Sequence, residues 1–219
     1  MPLAPVRQGH EWDALSRLDE PLRWRKPRTV FVARDLFCED LPDESIDRVF
    51  AVMALCPQHC FVVPTKRPQR MRQYLESTRL RWEEWLREID RMGRKLPLAE
   101  ALAAVYRPLP NVQLGVSVED QATADALLPP LLATPAAVRF VSAELLLGPI
   151  DLWGARYPAP GGGKAGAISC WQGDRRLDFV IVGPGARPCE VEWIRSLTEQ
   201  CKAAGVKCWG VRSSRARKE

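Results

Sequence analysis

The thiols are the most reactive groups in this chain, and their spacing decides what chemistry they can support. Seven are present, Cys38, Cys56, Cys60, Cys170, Cys189, Cys201 and Cys208, scattered and with no Cys-x-x-Cys pair. An odd, dispersed set argues against a disulfide framework and fits reduced thiols, and it lacks the two close ligand pairs of a structural zinc site. Cys56-Pro57-Gln58-His59-Cys60 is the one local cluster of soft ligands. Three ligands in five residues close poorly around one ion, and the segment falls at a helix-to-strand turn, away from the C-terminal strand ends. It reads better as two buried thiols behaving as small hydrophobes. His10 and His59 are the only histidines, so no Ser/His/Asp or Cys/His arrangement can be built.

A second group of residues suits ligand binding rather than bond cleavage. Lys66 and Arg67 follow an apolar run and precede Pro68, so two cations and the amides of a helix start converge on a candidate anion site. Ser117 and Glu119, and likewise Ser142 and Glu144, follow other apolar runs and could accept hydrogen bonds from the ribose or amino group of a nucleotide-like ligand. Gly183 opens a Gly-Pro-Gly turn that leads to Arg187. That turn is not a dinucleotide fingerprint, which needs a third glycine near Pro188. Gly161-Gly162-Gly163-Lys164 lacks both the spacing and the hydroxyl of a P-loop.

These positions matter because of the elements that must carry them. Short apolar runs at 29–33, 60–63, 112–118, 138–142, 179–182 and 206–209 read as six strands. Between them, residues 42–56, 68–106, 119–132 and 190–204 carry helical spacing, with Gly93 and Pro97 expected to divide the longest stretch and Gly205 to cap the last. Strand and helix in alternation predict an α/β fold with a parallel sheet, in which function collects at the C-terminal strand ends. Lys66, Ser117, Glu119, Ser142, Glu144 and Gly183 all fall there. The first 27 residues show no convincing strand and read as an irregular N-terminal segment; 151–176 reads as a Gly/Pro-rich mobile insertion, and 211–219 as a disordered basic tail.

The 219 residues, 46% hydrophobic and 27% charged, suit a single globular domain, and 19 prolines disfavour a long helical bundle. No run approaches the roughly eighteen apolar residues of a membrane span, and the N-terminus has no signal-peptide core, so a cytoplasmic location is expected. Net charge is +5, from 32 basic and 27 acidic residues, too little to imply nucleic acid by itself. Basic runs at 23–28, 66–72, 79–95 and 212–218, interleaved with Trp24, Trp82 and Trp85, keep a nucleic-acid partner as an alternative. In the third run Glu83, Glu84, Glu88 and Asp90 balance the cations, and Trp82 and Trp85 sit at core spacing.

The strand-end segments, taken in order, carry a resemblance. They are Phe31-Val32 with Asp35-Leu36-Phe37 and Glu39-Asp40-Leu41-Pro42-Asp43; Thr65-Lys66-Arg67-Pro68 with Arg70-Met71; and Asn111-Val112 with Leu114-Gly115-Val116-Ser117-Val118-Glu119-Asp120-Gln121. Arg139-Phe140-Val141-Ser142, Glu144, Leu146-Leu147-Gly148-Pro149 and Val180-Ile181-Val182-Gly183 with Gly185-Ala186-Arg187-Pro188 complete the set. Together they resemble a phage-associated family of unknown function with a three-cysteine motif and a radical-SAM-like partial barrel, over roughly residues 20 to 209.

The resemblance implies a parallel (βα) partial barrel of about six strands, TIM-barrel-like, with S-adenosylmethionine and a [4Fe–4S] cluster as cofactors. Three thiolates would hold the cluster and leave one iron open for the amino and carboxylate groups of S-adenosylmethionine. This chain departs from that pattern. No cysteine precedes Cys38, and Cys38, Cys56 and Cys60 do not reproduce the motif. The loop 183–188 lacks the family's insertion, Ala143 and Leu145 replace a cysteine and a proline, and Ala33-Arg34 replaces a longer polar run. The expectation is therefore a diverged or truncated member that keeps a nucleotide-like ligand pocket, with Lys66, Ser117, Glu119, Ser142, Glu144, Gly183 and Arg187 as binding residues and no metal. The alternatives are an active radical enzyme with its cysteines upstream of a misplaced start, and a basic nucleic-acid-binding accessory protein. An open barrel edge would need cover from a partner or from the first 27 residues.

Overall fold

A computed structural model of the chain describes residues 10–97, 107–154, 156–158, 164–166, 176–183 and 189–210. Its elements are β1 (His10–Trp12), β2 (Thr29–Val32), α1 (Asp43–Leu55), β3 (Cys60–Thr65), α2 (Pro68–Glu76), α3 (Thr78–Arg91), β4 (Val112–Ser117), α4 (Gln121–Ala133) and β5 (Val138–Ala143). After these come β6 (Arg156–Pro158), β7 (Lys164–Gly166), β8 (Phe179–Val182), α5 (Val191–Ala203) and β9 (Lys207–Gly210). The fold is α/β, with a seven-stranded sheet ordered β1-β2-β3-β4-β5-β8-β9. β1 pairs with β2, β2 with β3, β5 with β8 and β8 with β9, all in parallel. Among the described residues the order advances along the chain without closing on itself, as in a partial (βα) barrel, and the expected class holds.

The seventh strand is the difference from the expected six. His10, Glu11 and Trp12 pair in register with Val30, Phe31 and Val32, so residues read as irregular supply the strand that covers β2. Tertiary contacts hold this short strand: the Trp12 ring is fully buried 5.5 Å from Phe61, and its indole N–H donates to the Arg17 carbonyl at 2.8 Å. Within 151–176, β6 and β7 form a two-stranded antiparallel sheet.

By contact density the chain divides into two units, residues 1–114 with 134–138, and residues 115–133 with 139–219. In the first, α1 buries Ile46, Val49, Phe50 and Met53, and α2 and α3 pack Met71, Tyr74, Trp82, Trp85 and Ile89. The 68–106 stretch has an additional division that its sequence did not suggest, at Ser77, where Ser77 Oγ donates to the Tyr74 carbonyl. Gly93 ends α3, as expected of a break there: at φ 63° its N–H reaches Asp90 O while Arg94 N–H reaches Ile89 O, a Schellman cap. At the heart of this unit the Asp47 carboxylate, 1% exposed, accepts Tyr74 O–H at 2.8 Å and Trp85 indole N–H at 3.2 Å.

In the second unit the core is aromatic. Phe140 on β5 stacks on Phe179 of β8, with centroids 5.1 Å apart and planes within 2°, and Trp209 of β9 lies 4.6 Å beyond Phe179. The neighbouring backbone must be bare at Gly115, since a Cβ there would stand 2.5 Å from the Phe140 ring.

Candidate functional site: polar strand ends

In the first unit the C-terminal ends of β2 and β3 are joined by one carboxylate. Asp35 Oδ1 accepts Thr65 O–H at 2.6 Å and Phe37 N–H at 3.0 Å, and Oδ2 accepts Lys66 N–H at 3.1 Å and the Arg67 guanidinium at 3.0 Å. Thr65 Oγ1 in turn accepts Arg67 N–H at 2.9 Å. An anion belonging to the chain itself therefore meets the Arg67 guanidinium and the Lys66 backbone amide, so Arg67 is already paired. Arg70 fastens the same loop by donating to the carbonyls of Cys38 and Leu41, with Asp43 at 3.3 Å. Lys66 is exposed at this strand end.

In the second unit three adjacent strand ends are tied side by side. Val118 N–H donates to Ser142 O at 2.9 Å, Leu147 N–H to Glu119 O at 2.7 Å, and Gly183 N–H to Ala143 O at 3.2 Å. These bonds bring together the segments bearing Ser117, Glu119, Ser142, Glu144 and Gly183. Ser142 Oγ donates to Glu144 Oε2 at 3.2 Å, so a hydroxyl that is largely buried orients an exposed carboxylate. Ser117 and Glu119 are half-buried. The start of α4 fixes Glu119 from the other side, as Glu119 N–H and Asp120 N–H share Thr123 Oγ1 and Thr123 N–H returns to Asp120 Oδ1 at 2.8 Å. Hydrogen bonds from the Thr123 backbone and then its hydroxyl hold the Asp120 carboxyl below the usual carboxylate range. Arg187 lies outside the described residues.

The sequence points to these strand ends because parallel sheets put loops there. It gives no sign of the Asp35 linkage, whose partners are about thirty residues away along the chain. The Asp120 and Thr123 pairing has a readable signature, a capping residue with its hydroxyl partner three positions on.

The Cys56–Cys60 turn behaves as expected of a structural feature. Cys56 and Cys60 are buried, and burial pushes both thiols up to about 11. Asn111 Nδ2 donates to the carbonyls of Met53 at 2.9 Å and Cys56 at 3.1 Å, satisfying the end of α1. Among the described residues no group of three or more His, Cys, Asp or Glu side chains is placed to hold a metal ion. Cys170 lies outside them. The described thiols, two of them buried at one turn and others on α5 and β9, do not fit the three-thiolate donor set of an iron–sulfur cluster.

His59 is fully buried, with Nε2 at 3.2 Å from the Pro21 carbonyl and Nδ1 without a hydrogen-bond partner. The carbonyl can only accept, so Nε2 carries the proton. Burial pushes the imidazole pKa down. The unfolded chain then binds a proton more readily than the folded one, and stability present above about pH 6.5 is lost as pH falls below that value. Urea midpoints measured from neutral pH downward should fall through this window. His59→Gln, which keeps a donor for Pro21, should flatten that part of the profile.

Of the basic runs, the third is solvated and acid-balanced: Arg87 pairs with Glu83 and Glu84, Arg91 with Glu88, and Arg48 reaches Glu88 at 3.4 Å. Trp82 and Trp85 are buried and offer no stacking platform to a base. Arg28 lies over the Trp24 ring at 5.0 Å, and Arg23 pairs with Asp19. No described helix is long and apolar enough to cross a membrane.

No curated protein and no solved structure matches the chain. A family model described as protein of unknown function (DUF5131) matches residues 6–215, nearly the full length, and the chain belongs to that family.

Proposed function

We propose that this protein binds a nucleotide-like small molecule at the strand ends of its second unit, and that it does so without an iron–sulfur cluster. The observation that supports this reading is the tying of three strand ends, whose backbone bonds join the segments that carry Ser117, Glu119, Ser142 and Glu144 to one another and to Gly183. Glu119 and Glu144 would accept from ribose hydroxyls or an amino group, Ser117 and Ser142 would orient them, and Arg187 would meet an anionic group. Lys66 keeps a proposed role as a cation for an anionic ligand group in the first unit. The radical-SAM-like relationship and the phage association belong to the same reading and rest on the ordered segments named above. With the cluster ligands unmatched among the described residues, the proposed protein is a ligand-binding barrel rather than a radical enzyme.

A second reading has one favouring observation. Arg25, Lys26, Arg94 and Lys95 are exposed and make no ion pair among the described residues, and Arg94 and Lys95 line a cavity of about 210 Å³ with Leu22 and Gln58. Such cations suit a phosphate backbone.

Calorimetric titration of the full chain with S-adenosylmethionine, ATP and a single-stranded oligonucleotide separates the readings. Binding of either nucleoside ligand is expected, weakened roughly tenfold by Glu144→Gln through loss of a charge-assisted hydrogen bond. Absence of binding by both would defeat the proposal. Oligonucleotide binding that falls steeply with salt would transfer the function to nucleic acid. A stable reconstituted cluster of about four irons would contradict the cluster-free part.

A further inference from the structure

Two of the described cysteines are brought together by the end of α5. The helix terminates in a Schellman cap, with Gly205 at φ 67°, its N–H on Lys202 O at 3.2 Å, and Val206 N–H on Cys201 O at 2.9 Å. This cap turns the chain directly from Cys201 in the last helical turn into β9. There Cys208 pairs in register with Val180 of β8. Thr198 and Cys201 lie three residues apart and so share a helix face. Cys208 Sγ lies 3.9 Å from Thr198 Oγ1, which places it against that face. Cys201 is fully buried, whereas Cys208 is half-exposed.

We propose that Cys208 and Cys201 form a peroxide-reactive dithiol, Cys208 being the attacking sulfur and Cys201 the resolving one. The environment supports this division of labour. Hydrogen bonding with Cys201, joined by that with Thr198, outweighs burial and pulls the Cys208 thiol down to about 7, while the Cys208 partner and burial push Cys201 up. An accessible thiolate beside a buried thiol is the arrangement that disulfide formation needs. In the first step the Cys208 thiolate attacks a hydroperoxide: a sulfur–oxygen bond forms, the oxygen–oxygen bond breaks, and the departing alkoxide or hydroxide takes a proton from solvent. Cys208 is then a sulfenic acid. In the second step Cys201 sulfur attacks Cys208 sulfur, the sulfur–sulfur bond forms, and the sulfenic oxygen leaves as water with the Cys201 proton. Two thiols lose two electrons, and the hydroperoxide is reduced to alcohol (or water) and water.

The bond would join β9, an edge strand, to the helix that covers it. Cys189, half-buried and pushed up by burial and by Glu190, is the internal control. Full-length protein is treated with stoichiometric hydrogen peroxide, alkylated and mapped by mass spectrometry. The expected product is a cross-linked peptide pair containing Cys201 and Cys208, lighter by two hydrogens and restored by dithiothreitol, with Cys56 and Cys60 still reduced. At neutral pH Cys208 should alkylate roughly tenfold faster than Cys189. Cys201→Ser should leave Cys208 trappable as a sulfenic acid by dimedone. Thr198→Val, which keeps both cysteines and the side-chain volume, should slow Cys208 several-fold. Oxidation at Cys189 or Cys38 ahead of Cys208, or a Cys208 sulfenic acid that persists in wild-type protein, would overturn the proposal.

Discussion

Asp47→Ala is expected to lower the unfolding free energy by about 3 kcal/mol, the range for removing one partner of a buried, charge-assisted network. The carboxylate lies among α1, α2 and α3, where it receives Tyr74 O–H and Trp85 indole N–H, while Trp85 N–H is also 3.0 Å from Tyr74 Oη. Truncation takes the acceptor from Tyr74 O–H and leaves Trp85 N–H with Tyr74 Oη in its place, inside a core that includes Phe50, 5.2 Å from Trp85 and 5.4 Å from Tyr74. Urea unfolding should show a lower midpoint with an unchanged slope. Asp47→Asn retains one acceptor and should cost less. In a double-mutant cycle with Tyr74→Phe the two losses should fall short of additivity, because both variants remove the same bond. A fully additive cycle would mean that the carboxylate acts elsewhere.

Gly115→Ala should be comparably harmful for a purely steric reason. The added Cβ would meet three Phe140 ring carbons at 2.5 to 2.6 Å, distances that real Cβ atoms do not show. Phe140 cannot easily withdraw, since its far face is stacked on Phe179 and Phe179 rests on Trp209. Overpacking of this kind costs about 1–3 kcal/mol. Pairing the substitution with Phe140→Leu should recover part of the loss, measured as a rise in thermal midpoint over Gly115→Ala alone. If the double variant is no more stable than the single one, the clash at Phe140 is not the cause.

Both positions show how local pattern and tertiary packing divide the information. Asp47 reads in sequence as one more charge on a helix whose apolar stripe is Ile46, Val49, Phe50 and Met53; only the approach of α2 and α3 turns it into a buried acceptor. Gly115 reads as an interruption in an apolar strand, and only the Phe140 ring on the neighbouring strand explains it. Among the elements, α1, α5 and the strands at 29, 60, 112, 138 and 179 follow their hydrophobic periods to within a residue or two at most ends. β1 does not, because His-Glu-Trp carries no strand pattern and is held by pairing with β2 and burial of Trp12. The division of the long helical stretch at Ser77 was equally hidden, since serine is a weak breaker beside Gly93 and Pro97.

The candidate site divides in the same way. Alternating strands and helices determine that Lys66, Ser117, Glu119, Ser142, Glu144 and Gly183 stand at C-terminal strand ends, because a parallel sheet built from such units leaves its loops there. Chain order does not determine which of them become neighbours or which cation is already neutralised. That was decided by the backbone bonds joining the ends of β4, β5 and β8, and by the Asp35 carboxylate that reaches Thr65, Lys66 and Arg67. The cysteines show the same contrast. Their spacing determined that no close-paired ligand set exists. The α5 cap and its turn into β9 alone set Cys208 against the helix face that carries Cys201, since hydrogen bonds across the fold, not distance along the chain, fix which groups meet.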